Sequence, residues 1–131
     1  MSFPNPIELF DVHVYFLQDN PGSVKSAEHL RQKIIDKFPH LTVYNMVHRP
    51  IGPHPTAMFE LKLKNNAEFG EFFPWLVLNR GPHSVLVHPQ TGDDFIDHAQ
   101  YASWLGQPLP LDMTMQNRWP NDLYPPHVEL K

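Results

Sequence analysis

Between Leu9 and Leu17, Phe10, Val12, Val14 and Phe16 alternate with Asp11, His13 and Tyr15. A side-chain period of two puts the apolar set on one face of a strand and the acid, imidazole and phenol on the other. Such a strand needs a hydrophobic layer beneath it and leaves a chemically active row above. The turn cluster Asp19-Asn20-Pro21-Gly22 comes next, and Ser23 can cap a helix on which Val24, Ala27, Leu30, Ile34 and Phe38 recur at helical spacing. Pro39 ends it. A second strand is expected from Leu41 to Val47, before the breaker-rich loop Arg49-Pro50-Ile51-Gly52-Pro53-His54-Pro55.

A third strand runs near Ala57 to Leu63, with Phe59, Leu61 and Leu63 on one side and Met58, Glu60 and Lys62 on the other. Asn65 with Glu68 resembles a capping box that opens a helix through Phe69, Phe72 and Phe73, which Pro74 should kink and Gly81 should close. A short fourth strand spans Ser84 to His88. Asp93 or Asp94 then caps a last helix through Trp104, ended by Gly106. The order β-α-β-β-α-β predicts an α+β, ferredoxin-like fold: an antiparallel sheet with helices on one face, an extra C-terminal helix and an extended arm. Residues 1–131 read as a single domain, with a core over about 9–106 and a proline-rich arm over 107–131.

Composition narrows the function. The absence of cysteine removes thiolate metal sites, iron–sulfur clusters and cysteine nucleophiles, so any metal must be held by imidazole and oxygen. Ten basic against fourteen acidic residues, without a basic run, leave no footprint for nucleic acid. No apolar stretch is long enough for a membrane span, and the first residues lack a signal-peptide pattern, so a cytoplasmic location is expected. Nine histidines are an excess for this length.

The open sheet face should carry Asp11, His13, Tyr15, Met58 and Glu60. Antiparallel pairing of the first strand with the third brings His13 near Glu60, and pairing with the fourth brings His88 near Asp11. His54 can fold back over the same face. Two or three imidazoles and a carboxylate can thus converge with open positions, a set that suits a divalent metal such as non-haem iron(II). Each residue also has a plainer reading. A lone strand histidine can be a satisfied semi-buried residue, Asp11 and Glu60 can be solvated edge charges, and Asp93, Asp94 and Asp97 are explained as helix N-terminal charges. Apolar content beyond what two helices cover requires a second subunit or the arm over the open face, and a homodimer is expected, with the arm adding contacts.

Several blocks together resemble the DOPA 4,5-dioxygenase family. They are Asp11-Val-His13-Val-Tyr15-Phe16; Gly52-Pro53-His54-Pro55 with Met58-Phe59-Glu60; Phe73-Pro74-Trp75-Leu76 with Leu78-Asn79-Arg80-Gly81; and His88-Pro89-x-Thr91-Gly92-Asp93-Asp94 with Asp97-His98 and Ala102-x-Trp104-Leu105-Gly106. The resemblance covers about residues 9–107 and departs where many members carry a histidine and this chain has Asp11. It implies an extradiol ring-cleaving dioxygenase using iron(II), O2 and a catechol such as 3,4-dihydroxyphenylalanine. By matching block it implies His13, His54 and His88 as metal ligands, with Glu60 as the carboxylate alternative. His98, at the exposed start of the last helix, is then the acid–base candidate. Arg80, by a bidentate pair, and Asp11 stand on the substrate side, and Tyr15 either hydrogen-bonds the catecholate or packs at a dimer face. A metal-free ferredoxin-like dimer that binds a small aromatic or acidic ligand is the reading from another class.

Overall fold

The computed structural model describes residues 7–114. Its elements are β1 (Phe10–Phe16), α1 (Pro21–Lys37), β2 (Thr42–Val43), β3 (Ala57–Leu63), α2 (Asn66–Asn79), β4 (Val85–Pro89), α3 (Asp94–His98) and β5 (Ser103–Leu105). The strands pair antiparallel in the order β2-β3-β1-β4-β5. The first four make the ferredoxin-like sheet, with β1 and β3 inside it, and β5 adds to the edge at β4. Alternation along β1 and β3 sends Val12, Val14, Phe16, Phe59, Leu61 and Leu63 into one cluster with Ala27, Leu30, Ile34, Phe72 and Leu76 of the two long helices. That cluster is the main core.

Local chemistry sets the helix ends. Asn20, rather than Ser23, caps α1: its Oδ1 accepts the Ser23 amide at 3.1 Å, and Pro21 takes the first helical position, where a missing N–H does no harm. The Ser23 hydroxyl instead accepts the Leu17 amide at 2.8 Å and ties the strand end to the helix. Asn65 caps α2 through the Glu68 amide at 2.9 Å, and the helix carries on past Pro74 to Asn79. Gly81 closes it at φ +61, a conformation that a Cβ disfavours.

Two elements differ from the sequence reading. The second strand is reduced to Thr42–Val43, with a separate bridge from Val47 to Met58, because the chain leaves the sheet after Tyr44, whose amide still donates to the Glu60 carbonyl at 2.9 Å while its carbonyl turns to accept from Arg31 Nε at 2.9 Å. The helix expected through Trp104 stops at His98. Residues 103–105 pair with β4, Trp104 opposite Leu86, since the free edge of β4 offers hydrogen bonds that outweigh a weak local helical preference.

Part of the second face is covered by the chain itself. Leu109 and Leu111 pack against Tyr15, Ile51, Met58 and Leu86. The Asp112 amide donates to the Pro53 carbonyl at 2.8 Å, so the early part of the expected arm is pinned to the loop that carries His54. The rest of that arm, residues 115–131 with His127, lies outside the described residues. No helix among the described residues is long and apolar enough to cross a membrane.

Candidate metal centre

The register places His13 opposite Glu60 on β3 and Asp11 opposite His88 on β4. Four polar side chains therefore meet on one face of three adjacent strands. His54 reaches the same place from its proline-rich loop, and His98 from the end of α3. His13, His54, His88 and His98 are all buried, at 1%, 3%, 3% and 7% exposure. The ring centroids of His88 and His98 are 3.9 Å apart, and those of His13 and His54 are 4.4 Å apart. One ring nitrogen from each of His13, His54 and His98 lies within 4.8 Å of the other two.

Hydrogen bonds orient the rings. The Nδ1 atoms of His88 and His98 face the carbonyls of Pro89 at 2.9 Å and Asp94 at 2.7 Å. A carbonyl only accepts, so both Nδ1 atoms carry protons, and each neutral ring presents its lone pair on Nε2. His88 Nε2 stands 3.0 Å from His13 Nε2. Between two neutral rings His13 must bring the proton to that contact, which leaves its own lone pair on Nδ1. That Nδ1 is buried without a hydrogen-bond partner. A buried, unpartnered acceptor is costly on its own and is the kind of donor atom a cation would satisfy. His54 Nδ1 is held by the Tyr15 hydroxyl at 2.7 Å.

Electrostatics favour neutral rings at His13, His54 and His98. Burial, reinforced by the neighbouring histidines, drives the His13 pKa well below its usual range. Burial followed by repulsion from His98 and His88 lowers His54 to about 3, and burial followed by repulsion from His88 lowers His98 to about 4. Glu60 moves the other way. Burial, with Asp11 nearby, raises its carboxyl to about 8, against an opposing pull from Lys62. It is therefore a protonated acid near neutrality, 3.6 Å from His13 Nε2. Asp11 receives the Gln90 side-chain amide at 2.5 Å, and Lys62 Nζ lies 3.3 Å from its other oxygen, close enough for charge compensation without hydrogen-bond alignment.

The sequence-predicted residues divide accordingly. Asp11, His13, Tyr15, His54, Glu60, His88 and His98 come together. Arg80 does not: its guanidinium donates to the carbonyl of His83 at 3.1 Å and rests against Gly106. His98 sits at the buried end of α3, not at an exposed start, because the helix is only one turn long. Asp97 does stand with Asp94 in the first turn of α3, and it has a second role as well. It is 1% exposed and accepts from the Thr91 amide at 2.9 Å and from its hydroxyl, bracing the turn that aims α3 at the sheet. An acid six residues after Thr91 is the available signal, and in sequence it looks no different from a helix-end charge. His83, buried between Ser26 and the Tyr15 carbonyl, has no signal in strand or helix periodicity.

Comparisons with known proteins identify relatives of this chain. A model of the Dopa 4,5-dioxygenase family matches residues 10–115. A DOPA 4,5-dioxygenase of Amanita muscaria is 30% identical over 112 residues, covering 82% of this chain and 49% of the fungal protein. An uncharacterized 21.2 kDa protein of Botryotinia fuckeliana is 47% identical over 116 residues, covering 83% of this chain and 63% of that one. The chain thus spans about half to two-thirds of the length of these relatives. A crystal structure from Nostoc punctiforme, described as a candidate dioxygenase, superimposes with a TM-score of 0.77 at 36% identity, covering 86% of this chain and 93% of that one. The chain belongs to the Dopa 4,5-dioxygenase family.

Proposed function

We propose that the protein is a non-haem iron(II) dioxygenase that opens a catechol ring beside the diol, with O2 as co-substrate. The observation that carries this reading is the meeting of His13, His54 and His98 within 4.8 Å in a chain of this family. The fit to a cation rests on the chain's own chemistry: neutral imidazoles, an unpartnered buried Nδ1 on His13, and outer hydrogen bonds that set ring orientation. A bound ferrous ion would supply a centre at which catechol and dioxygen meet and exchange electrons.

The residues do the rest. Lowered pKa values leave His13, His54 and His98 deprotonated near neutral pH, so no proton has to be displaced before they ligate. Tyr15 holds His54 in place through its hydroxyl. In this reading His98 joins the ligands, and proton handling passes to His88, in contact with His13, and to the protonated carboxyl of Glu60. Asp11, next to Lys62, compensates charge at the rim.

Untagged protein reconstituted anaerobically with iron(II) tests the assignment. His13→Ala, His54→Ala and His98→Ala are each expected to lose most of the iron, whereas His88→Ala keeps it and turns catechols over roughly 10²-fold more slowly, the scale of general acid–base catalysis. Full iron retention in all three ligand variants would overturn the site. If iron-loaded wild-type protein forms no yellow ring-opened product from a panel of catechols, the activity is wrong and the metal-free binding reading takes its place.

A further inference from the structure

At the end of the sheet where β1 finishes and β4 begins, two cavities of about 410 Å3 each open beside α1. Gly22, Ser26 and His83 line both, so the two meet along one groove. None of the four clustered imidazoles lines either cavity. The groove meets the candidate metal centre at Tyr15, which lines one cavity and bonds to His54, but it holds none of that centre's imidazoles, so a ligand bound in it would not depend on the proposed ring cleavage.

The two halves differ in chemistry. One is lined by Lys25, His29 and Lys33, spaced along one face of α1, and by Arg80, with no carboxylate among its lining. Lys25, Lys33 and Arg80 form no ion pair among the described residues. Three unpaired cations around one hollow are an inversion in a chain whose net charge is −4. Arg80 is also preorganised, since its bond to the His83 carbonyl and its seat against Gly106 fix the guanidinium. The other half is walled mainly by carbon, from Phe16, Leu17, Pro82 and Leu109. The shared wall is neutral and rigid. His83 Nδ1 donates to the Tyr15 carbonyl at 2.9 Å, so its Nε2 accepts the Ser26 hydroxyl, also at 2.9 Å.

We propose that this groove binds an amphipathic organic anion: an aromatic or aliphatic body against Phe16, Leu17 and Leu109, and a carboxylate or phosphate head among Lys25, Lys33 and Arg80. A hollow of this size accommodates a small molecule, and an apolar cavity beside a few convergent charges is how such ligands are held. The head needs cations that no acid among the described residues already neutralises, and the body needs a carbon-lined recess. The groove provides both.

The experiment titrates metal-free protein with 4-phenylbutyrate, phenyl phosphate, the uncharged 4-phenylbutanol and inorganic phosphate, followed by calorimetry and amide shifts in heteronuclear NMR. Both aryl anions, or the one whose head the groove prefers, should bind at least about tenfold tighter than the alcohol and than inorganic phosphate, a ratio within reach of two converging cations. Shifts should centre on residues 22–33 and 80–84. Lys25→Gln with Lys33→Gln, both exposed, should weaken the anions about tenfold and leave the alcohol unchanged. Equal affinity for anion and alcohol overturns the proposal. So do inorganic phosphate matching the aryl anions, shifts centred on His13, His54 and His98, or a double variant that binds like the wild type.

Discussion

The two faces of the sheet are built from the same strands and are equally dry, yet they stand in opposite energetic positions. On the helix side Val14, Phe59 and Leu61 are 0% exposed, and on the other His13 is 1% and Glu60 8% exposed. Burying the first set removes hydrocarbon from water and is favourable at roughly 25 cal/mol per Å2. Burying the second withdraws groups that water solvates well, and the displaced pKa values of Glu60, His54 and His98 record the penalty. Exposure alone therefore does not say which face holds the protein together. The helix side supplies the stability, and the imidazole side draws on it to keep a dry polar site.

The largest expected effect comes from the helix side. Phe59→Ala should destabilise by about 3–5 kcal/mol in urea unfolding, the usual consequence of emptying a fully packed aromatic position. A change below about 1 kcal/mol would mean that stability resides elsewhere.

Next is the pH profile of the metal-free protein. His13, His54 and His98 titrate lower in the fold than in the unfolded chain, where His is near 6.5, so stability falls as pH drops below 6.5 toward the folded values of about 3 and 4 for the latter two. Glu60 has the opposite sign: folded at about 8 and unfolded near 4.5, it removes stability as pH rises between the two. Between 4.5 and 6.5 the three histidines outweigh the one acid, and above 6.5 the acid acts alone. The maximum should therefore lie near pH 6.5. The fall to about pH 5 should be about 2–4 kcal/mol, at roughly 1.4 kcal/mol per unit per group. Glu60→Gln should abolish the alkaline slope and be more stable than wild type at about pH 8. A bell that is unchanged in this variant would place the acid elsewhere.

The smallest effect belongs to the strap over the second face. Leu111 is only half-buried, and Leu111→Ala should lower stability by about 1 kcal/mol. Its signature is local: faster amide exchange around Pro53 and His54, with α1 unaltered. Exchange that rises equally in both regions would show that the strap is part of the global core.

Much of this division is legible in the residues. Strict alternation from Phe10 to Phe16 and from Ala57 to Leu63 assigns the two faces, because the strand period admits no compromise, and parity then determines that His13 and Glu60 share a side. What alternation cannot carry is the end of the chain's path. Residues 99–105 have a composition compatible with helix, and only the unpaired edge of β4, contributed by residues upstream, turns 103–105 into a strand. Asp97 is illegible for the same reason: its partner Thr91 becomes a neighbour only after the turn has formed. The join between His98 and the other rings depends on that turn as well, so its place in the cluster needs tertiary information.

The long sequence gaps between the clustered rings also set an order of events in time. His13 and His88 are 75 positions apart and meet only when β4 docks along β1, a non-local pairing of the kind that forms slowly. A chain emerging from the ribosome exposes His13 long before His98 exists, and the Asp112 to Pro53 bond that steadies the His54 loop comes later still. Nothing in the early chain can hold a cation in this geometry. Metal capture would therefore be the closing event of maturation rather than its seed, and occupancy would report that the molecule has finished folding.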